Sequence, residues 1–373
     1  MTHLIVRCDL TRSGSQQGFH LHARLDIRLD IPEQGIIAVF GRSGSGKTTL
    51  LRCVAGLERS PSGFISINDT VWQDASKGVF KPVHQRGVGM VFQQPCLFPH
   101  LTVRANLNYG LKRTLLSQRH MSWNHVIDIL GIGALLERYP QNLSMGEQQR
   151  VSIGRAVLGN PCLLLMDEPL ASLDTQRKNE ILPFIKRLNR EMNIPVMYVS
   201  HSVQEIIQIA DTLILVNEGK ATIAGSIHEI FSRLDLSECL GSEDLGDVRG
   251  AVIETHVAAH EPEFGLTCLE FHGRRLYVSH QTLNIGDPLR VHILSRNVSL
   301  SLAPPQAPTS VLNIIEAQVV EIGAIVPGAS AVEVKLDAGC PILATITHKS
   351  LHVLALSLGQ RVYASIKTVA LQS

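Results

Sequence analysis

The segment Gly41-Arg42-Ser43-Gly44-Ser45-Gly46-Lys47-Thr48 holds the most legible chemistry in the chain, because it matches G-x-x-x-x-G-K-[ST] at every fixed position. Polyphosphate is strongly anionic. Glycines let successive backbone N–H groups converge on it with no Cβ in the way, and a helix starting at the loop adds its positive dipole end. In such a cradle Lys47 neutralises the β- and γ-phosphates, while the hydroxyl of Thr48, followed by Thr49, suits Mg²⁺. At average glycine usage a chain of this length matches those fixed positions by chance about once in a hundred.

A second stretch, Cys162-Leu-Leu-Leu-Met-Asp167-Glu168, is an apolar run that ends in two carboxylates. Beside a phosphate loop, Asp167 is placed to hold Mg²⁺, directly or through water. Glu168, one residue further on, is placed to polarise an attacking water. Alone, such a strand end would read as solvated loop charges; together with the loop it reads as a site for ATP and Mg²⁺.

These groups meet only if neighbouring strands deliver them. Ile36–Phe40 precedes the loop and is apolar throughout, as a strand covered on both faces should be. Cys162–Met166, Val196–Val199 and Leu213–Val216 are further runs of that kind. Helical periodicity covers roughly 48–56, 102–117, 122–138, 145–158 and 175–192. The phosphate loop and this alternation predict an α/β P-loop ATPase domain with a parallel-sheet core. Beyond about residue 240 the pattern turns β-rich and predicts an all-β small-barrel region. A connecting half-barrel falls at 236–304 and a second barrel at 305–373, with a proline-rich linker at Leu302–Thr309. Ile285–Leu300 and Leu358–Leu371 echo one another as turn glycine, strand and closing segment, so duplication is expected.

Composition narrows the function classes. The 373 residues predict two or three domains, and 45% hydrophobic against 18% charged residues excludes wholesale disorder. Lys+Arg (34) balance Asp+Glu (33), so nothing electrostatic points to nucleic acid. Seven scattered cysteines, none in a Cys-x-x-Cys pair, predict a reducing compartment with neither disulfide frame nor zinc site. The opening MTHLIVRCDL lacks a secretion signal, and no run is long and apolar enough to span a bilayer.

With those motifs in place, residues 1 to about 235 resemble the ATP-binding subunits of ABC transporters. Val91-Phe92-Gln93 resembles the Q-loop, Leu143-Ser144-Met145-Gly146-Glu147-Gln148-Gln149-Arg150 the signature, Ala171-Ser172-Leu173-Asp174 the D-loop, and Ser200-His201 the switch histidine. The resemblance implies that the ATPase domain spans 1–235 and includes a helical subdomain, that Gln93 touches Mg²⁺ and the water, and that His201 bonds the γ-phosphate. It also implies a homodimer closing head to tail, with each ATP between one phosphate loop and Ser144 and Gly146 of the other copy. Lys47, Glu168 and His201 would carry catalysis. Two integral-membrane permease subunits would complete the complex, and a periplasmic or extracellular oxyanion-binding protein would act indirectly. The chain would then sit peripherally on the cytoplasmic face of the plasma (inner) membrane. Leu97 and Phe98 lie where the family receives a permease helix; the alternative is that they fill the local core.

Two places depart from the family pattern or leave it open. Met145 stands where the family has glycine, bringing a Cβ and a long side chain to a close phosphate approach; Ser144 Oγ, the Gly146 N–H and the helix dipole remain. Phe19 is the candidate adenine-stacking aromatic, although its surroundings alternate as a strand core would.

Residues 309–373 resemble the small oxyanion-binding barrel of molybdate-handling proteins, through Ser310-Val311-Leu312-Asn313, Leu358-Gly359 and Tyr363–Thr368. That resemblance implies a regulatory role for the β-rich region. Leu312 stands where that family usually has arginine. Ser310, Lys367 and Thr368 offer the hydroxyls and cation that a dianion needs, the alternative being a packing barrel with no ligand. The N-terminal part resembles molybdate-importer ATPases in Gly41–Lys47, Ala171–Lys178 and Asn193–His201. Import of molybdate is the expectation. The alternatives are an importer of sulfate, tungstate or iron, a non-transport ABC ATPase, and an oxyanion sensor with a vestigial ATPase.

Overall fold

The computed structural model describes residues 2–13, 20–31, 35–112, 122–236, 249–307, 309–325, 330–367 and 370–371. The chain divides into two compact units, Met1–Gly225 and Ser226–Ser373. Strands of the first are β1 (Thr2–Ser13), β2 (His20–Ile31), β3 (Ile36–Phe40), β4 (Phe64–Ile67), β5 (Thr70–Asp74), β6 (Val79–Phe80), β7 (Val88–Val91), β8 (Leu163–Asp167), β9 (Val196–Val199), β10 (Thr212–Asn217) and β11 (Lys220–Ser226). They form one sheet in the order β6-β5-β4-β1-β2-β11-β10-β3-β9-β8-β7. The run β10-β3-β9-β8-β7 is parallel throughout, whereas β2, β1, β4, β5 and β6 pair antiparallel.

The apolar runs expected to be strands are strands, and their buried character has a geometric cause. Alternate side chains point to opposite faces, so Ile36, Leu164, Met166, Val196 and Tyr198 join one core cluster, while Ile37, Val39, Leu163, Leu165, Met197 and Val199 join another. Strand β7 carried no such signal. Its sequence VGMV is broken by Gly89, where a Cβ would stand 3.0 Å from the Leu164 side chain.

Helices α1 (Lys47–Ala55), α2 (Val103–Leu111), α3 (Trp123–Leu130), α4 (Met145–Val157), α5 (Thr175–Met192) and α6 (Val203–Ile209) complete this unit. The helix expected over 122–138 stops at Leu130. Gly131 takes φ 60 and closes it with a left-handed cap, and a short 3-10 turn follows at Gly133–Leu135. The helix expected over 102–117 ends at Leu111, and residues 113–121 lie outside the described ones.

In the second unit the strands are β12 (Gly250–Glu261), β13 (Leu266–Phe271), β14 (Arg274–Ser279), β15 (Pro288–Leu294), β16 (Val298–Ser301), β17 (Asn313–Ile322), β18 (Ala331–Asp337), β19 (Pro341–Thr347), β20 (Arg361–Ile366) and β21 (Ala370–Leu371). Two five-stranded sheets form, β14-β13-β12-β15-β21 and β19-β18-β17-β20-β16. The orders match element for element except that the closing strands are exchanged: β16 pairs with β20, and β21 with β15. Each sheet carries a register shift at the same place, at Val257 and at Val319. At each, the valine N–H donates to a residue of the following turn (Asp287 or Gln360), whose glycine (Gly286 or Gly359) donates back to the valine carbonyl. The echoed segments are therefore the same turn and strand built twice. One hydrophobic cluster draws on both sheets, from Ile253 and Leu276 to Val334 and Val362.

The end of α1 holds a test of close packing. Gly56 takes φ 81 there, and Arg86, only 1% exposed, donates through Nη1 to the carbonyls of Cys53 (2.7 Å) and Val54 (2.9 Å). A guanidinium at these carbonyls complements the negative end of the helix dipole. A Cβ on Gly56 would lie 2.5 Å from Arg86 Nε, whereas at Gly78 (φ 68) it would meet nothing within 4 Å. Gly56→Ala should cost at least about 2 kcal/mol, against about 1 kcal/mol for Gly78→Ala; urea unfolding of the two variants measures the difference.

Candidate functional site

Three adjacent parallel strands, β3, β9 and β8, end side by side and bring the site together. The glycine loop follows β3, Ser200 and His201 follow β9, and Asp167 closes β8 with Glu168 next to it. This is the carboxyl edge of the sheet, where loops are free to face a ligand.

Gly44 and Gly46 take φ 81 and φ 103, conformations that a side chain would strain, and Gly46 is the residue on which α1 starts. Gly41 packs so closely that a Cβ would stand 2.0 Å from the Val216 carbonyl oxygen. Arg42 and Ser43 are exposed on the loop, while Thr49 is buried on α1. Ser45 Oγ is buried without a hydrogen-bond partner among the described residues, a polar atom suited to a phosphate oxygen. Lys47, the first residue of α1, is 4% exposed, and its Nζ donates to the carbonyls of Gly41 (2.7 Å) and Arg42 (2.8 Å). An ammonium has a third N–H to offer an anion. Burial pushes the Lys47 pKa down, and the carboxylates of Glu168 and Asp167 partly offset that.

Facing the loop, Asp167 Oδ1 accepts from Thr48 Oγ1 at 3.0 Å across 119 residues of sequence. Burial pushes the Asp167 pKa up, and the Thr48 hydroxyl pulls it partly back. A hydroxyl and a half-desolvated carboxylate are the hard oxygen donors that Mg²⁺ takes with water and phosphate, so this pair fits that ion. Glu168 takes φ 44, uncommon for a residue with a Cβ, with its N–H donating to the Val199 carbonyl at 3.0 Å. Its Oε2 lies 3.2 Å from His201 Nδ1. Lys47, Thr48, Asp167, Glu168 and His201 are thus gathered as the sequence suggests. Gln93 is exposed just beyond β7, and Phe92, beside it, accepts from Gln149 Nε2 at 3.3 Å, which joins that strand end to α4.

Helix α4 begins in a capping box: Ser144 Oγ accepts from the Glu147 N–H, and Glu147 Oε2 accepts from the Ser144 N–H at 2.7 Å. The hydrogen bonds from Ser144 hold the Glu147 pKa below the usual carboxylate range. Met145 occupies the first helical position and is 41% exposed, while Gly146 is buried near Ile181. Asp174 caps α5, accepting from the Arg177 N–H at 3.0 Å. Leu97 packs on the core cluster around α2 and α4. Phe98 is half-buried, with its ring tilted against that of the exposed Tyr109 at 4.6 Å, so Leu97 partly serves the local core and Phe98 lies outside that cluster.

Phe19 and Thr368 lie outside the described residues. Ser310 and Lys367 are both exposed in the second unit. A cavity of about 720 Å³ in that unit is lined by other residues, among them Arg233, Arg249, Arg296, Glu333 and Lys335. No group of three or more His, Cys, Asp and Glu suited to a metal ion occurs among the described residues. The sequence reading passed over Glu205, which lies buried behind the His201 loop. Ser202-x-x-Glu205 is a capping pattern visible in the sequence, but that pattern ordinarily marks a surface helix start.

The ABC transporter family matches residues 25–171, and the TOBE domain matches residues 309–372. Molybdenum import ATP-binding protein ModC 1 of Azotobacter vinelandii is 46% identical over 348 residues, 93% of this chain and 94% of that one. ModC of Thiobacillus denitrificans is 48% identical over 349 residues, again 93% and 94%. The chain belongs to the molybdenum import ATP-binding protein family. As in other ABC proteins, ATP is its nucleotide. This family member also resembles a dimeric ATP-binding cassette in a post-hydrolysis state bound to ADP and Pi, with TM-score 0.50, 25% identity, and coverage of 61% of this chain and 99% of that one. A likeness to cbiO1 of Clostridium perfringens, part of the ABC transporter complex cbiONQ, shares the fold (TM-score 0.52, 22% identity, 64% of this chain and 94% of that one).

Because burial raises the Asp167 pKa, its ionised form weakens the fold; the unfolded chain ionises first as pH rises, and stability declines until the folded group ionises too. Asp167→Asn keeps an acceptor for Thr48 and removes that charge. It should raise stability at neutral pH, by no more than about 1 kcal/mol because solvent screens a carboxylate this exposed, while ATP turnover falls. Paired thermal melts and ATPase assays check both halves.

Proposed function

We propose that this chain is the ATP-hydrolysing subunit of an ABC importer for molybdate, coupling ATP binding and hydrolysis to the movement of that anion through two integral-membrane permease subunits. The observation that carries the reading is the meeting of Lys47, the Thr48–Asp167 pair and the Glu168–His201 pair at three adjacent strand ends, in a member of this family. No helix among the described residues is long and apolar enough to cross a membrane. In this reading separate permeases carry the transport path, and we place the chain at the cytoplasmic face of the inner membrane.

In this reading the glycine loop from Gly41 to Thr49 wraps the polyphosphate, and Lys47 balances charge on the transferred phosphoryl group. Thr48 and Asp167, together with Gln93, would hold Mg²⁺, which would supply further neutralisation of phosphate charge. The Glu168 carboxylate accepts a proton from water as the water oxygen bonds to the γ-phosphorus and the bond to the β-phosphate oxygen breaks. His201, oriented by Glu168, hydrogen-bonds the γ-phosphate. The second copy contributes Ser144, the Gly146 N–H and the start of α4, so hydrolysis removes the contacts that hold two copies shut. Met145 points outward at that surface and sets how closely the copies approach. A periplasmic or extracellular oxyanion-binding protein delivers the anion. In the second unit we keep Ser310, Lys367 and Thr368 as the donor set for a regulatory oxyanion.

Lys47→Ala should lose ATP binding, whereas Glu168→Gln should bind normally, dimerise on ATP and turn over about a hundredfold more slowly or less. Equal turnover in Glu168→Gln would overturn the base assignment, and a monomer at saturating ATP would overturn the shared site. Uptake of labelled molybdate into vesicles containing the full complex should exceed uptake of sulfate at equal concentration; equal uptake of both would reject molybdate as the cargo.

A further inference from the structure

Glu205, in the first turn of α6, is 3% exposed and gathers partners from three elements. Its Oε2 accepts from Tyr198 OH at 2.8 Å and from Ser200 Oγ at 2.8 Å. Its Oε1 lies 2.8 Å from Lys178 Nζ. Its own N–H donates to Ser202 Oγ, and the Ser202 N–H donates to Ser200 Oγ at 2.9 Å. His201 sits between the two serines, so both of its chain neighbours are pinned by the same carboxylate or by the helix turn that bears it. Lys178 lies in the first turn of α5, where its N–H donates to the carbonyl of the capping residue Asp174 at 3.0 Å.

A buried carboxylate is stable only when charge and hydrogen bonds compensate it, which makes such a cluster geometrically demanding. Tyr198 lies fully buried at the end of this cluster. Burial and the adjacent carboxylate push its pKa far up, so its OH stays a donor. A compensated cluster of this kind holds the backbone on both sides of His201 in one arrangement.

We propose that Glu205 is the positioning residue of the His201 loop: it sets the loop so that His201 Nδ1 stands against Glu168, and through Lys178 it ties the loop to the start of α5 at Asp174. The Glu168 side of the site and the Ala171–Asp174 segment are thereby held in one register. The proposal rests on the role given to His201 above.

The test is Mg²⁺-dependent ATP turnover by the full-length chain carrying Glu205→Gln, Ser200→Ala, His201→Ala, or Glu205→Gln with His201→Ala. Glu205→Gln and Ser200→Ala should each lower kcat between about tenfold and about a hundredfold, with KM for ATP within about twofold of the unmutated chain. In the His201→Ala background, adding Glu205→Gln should cost no further activity, because the residue acts through the histidine. A merely structural role would lower the melting temperature and add its full factor in both backgrounds, and that result overturns the proposal. A Glu205→Gln chain with at least half the normal kcat overturns it too. Should Glu205→Gln not fold, Ser200→Ala, which keeps the ion pair with Lys178, carries the same expectation alone and combined with His201→Ala. A fully active His201→Ala removes the histidine's role, and this proposal falls with it. An impaired His201→Ala beside an unaffected Glu205→Gln overturns the positioning proposal alone.

Discussion

Charge held out of water is the constraint on which the first unit turns. Lys47 is buried at the start of α1, and Asp167 is half-buried opposite it; burial drives the first toward its neutral amine and the second toward its neutral acid. Neither shift is relieved fully inside the protein, because the Lys47 ammonium faces loop carbonyls and Asp167 has one hydroxyl. Such a site favours a ligand that brings both signs of charge together, which is what a nucleotide with its divalent ion is. Three parallel strands ending in step are what keep the two groups close and still half out of solvent.

Around that patch the backbone takes unusual conformations. Gly44 and Gly46 take positive φ in the turn from β3 into α1, where glycine carries no strain, and Glu168 is left-handed although it carries a Cβ. Met145 bears on a different question. At the first position of α4 its side chain leaves the helix toward solvent, so the capping box of Ser144 and Glu147 forms undisturbed. Whatever the methionine changes lies at the exposed surface of the helix start and not in the local fold.

The second unit solves the problem of two small β-modules by interlocking them. Each five-stranded sheet ends on a strand contributed by the other repeat, and side chains of both sheets share one apolar cluster. A small sheet with an open edge is marginal alone, and exchanging closing strands covers an edge in each. The paired bulges at Val257 and Val319, with their returning glycines Gly286 and Gly359, show that the repeat extends to individual hydrogen bonds.

The amino-acid sequence alone determined whatever depends on neighbours within a few residues. The glycine loop, the buried strands at Ile36–Phe40 and Val196–Val199, the helix at Thr175–Met192 and the turn glycines of the repeat were all legible, because backbone freedom, side-chain alternation and capping act locally. The early stop of α3 at Gly131 is also local, yet one glycine inside a periodic run does not announce itself as an end. Tertiary structure alone decided the rest. That Thr48 meets Asp167, that His201 meets Glu168, that Glu205 is buried and that β16 and β21 change sheets follow from strand order and packing. Those arise from contacts between residues far apart in the chain, and many sequences with the same local pattern would satisfy a different order.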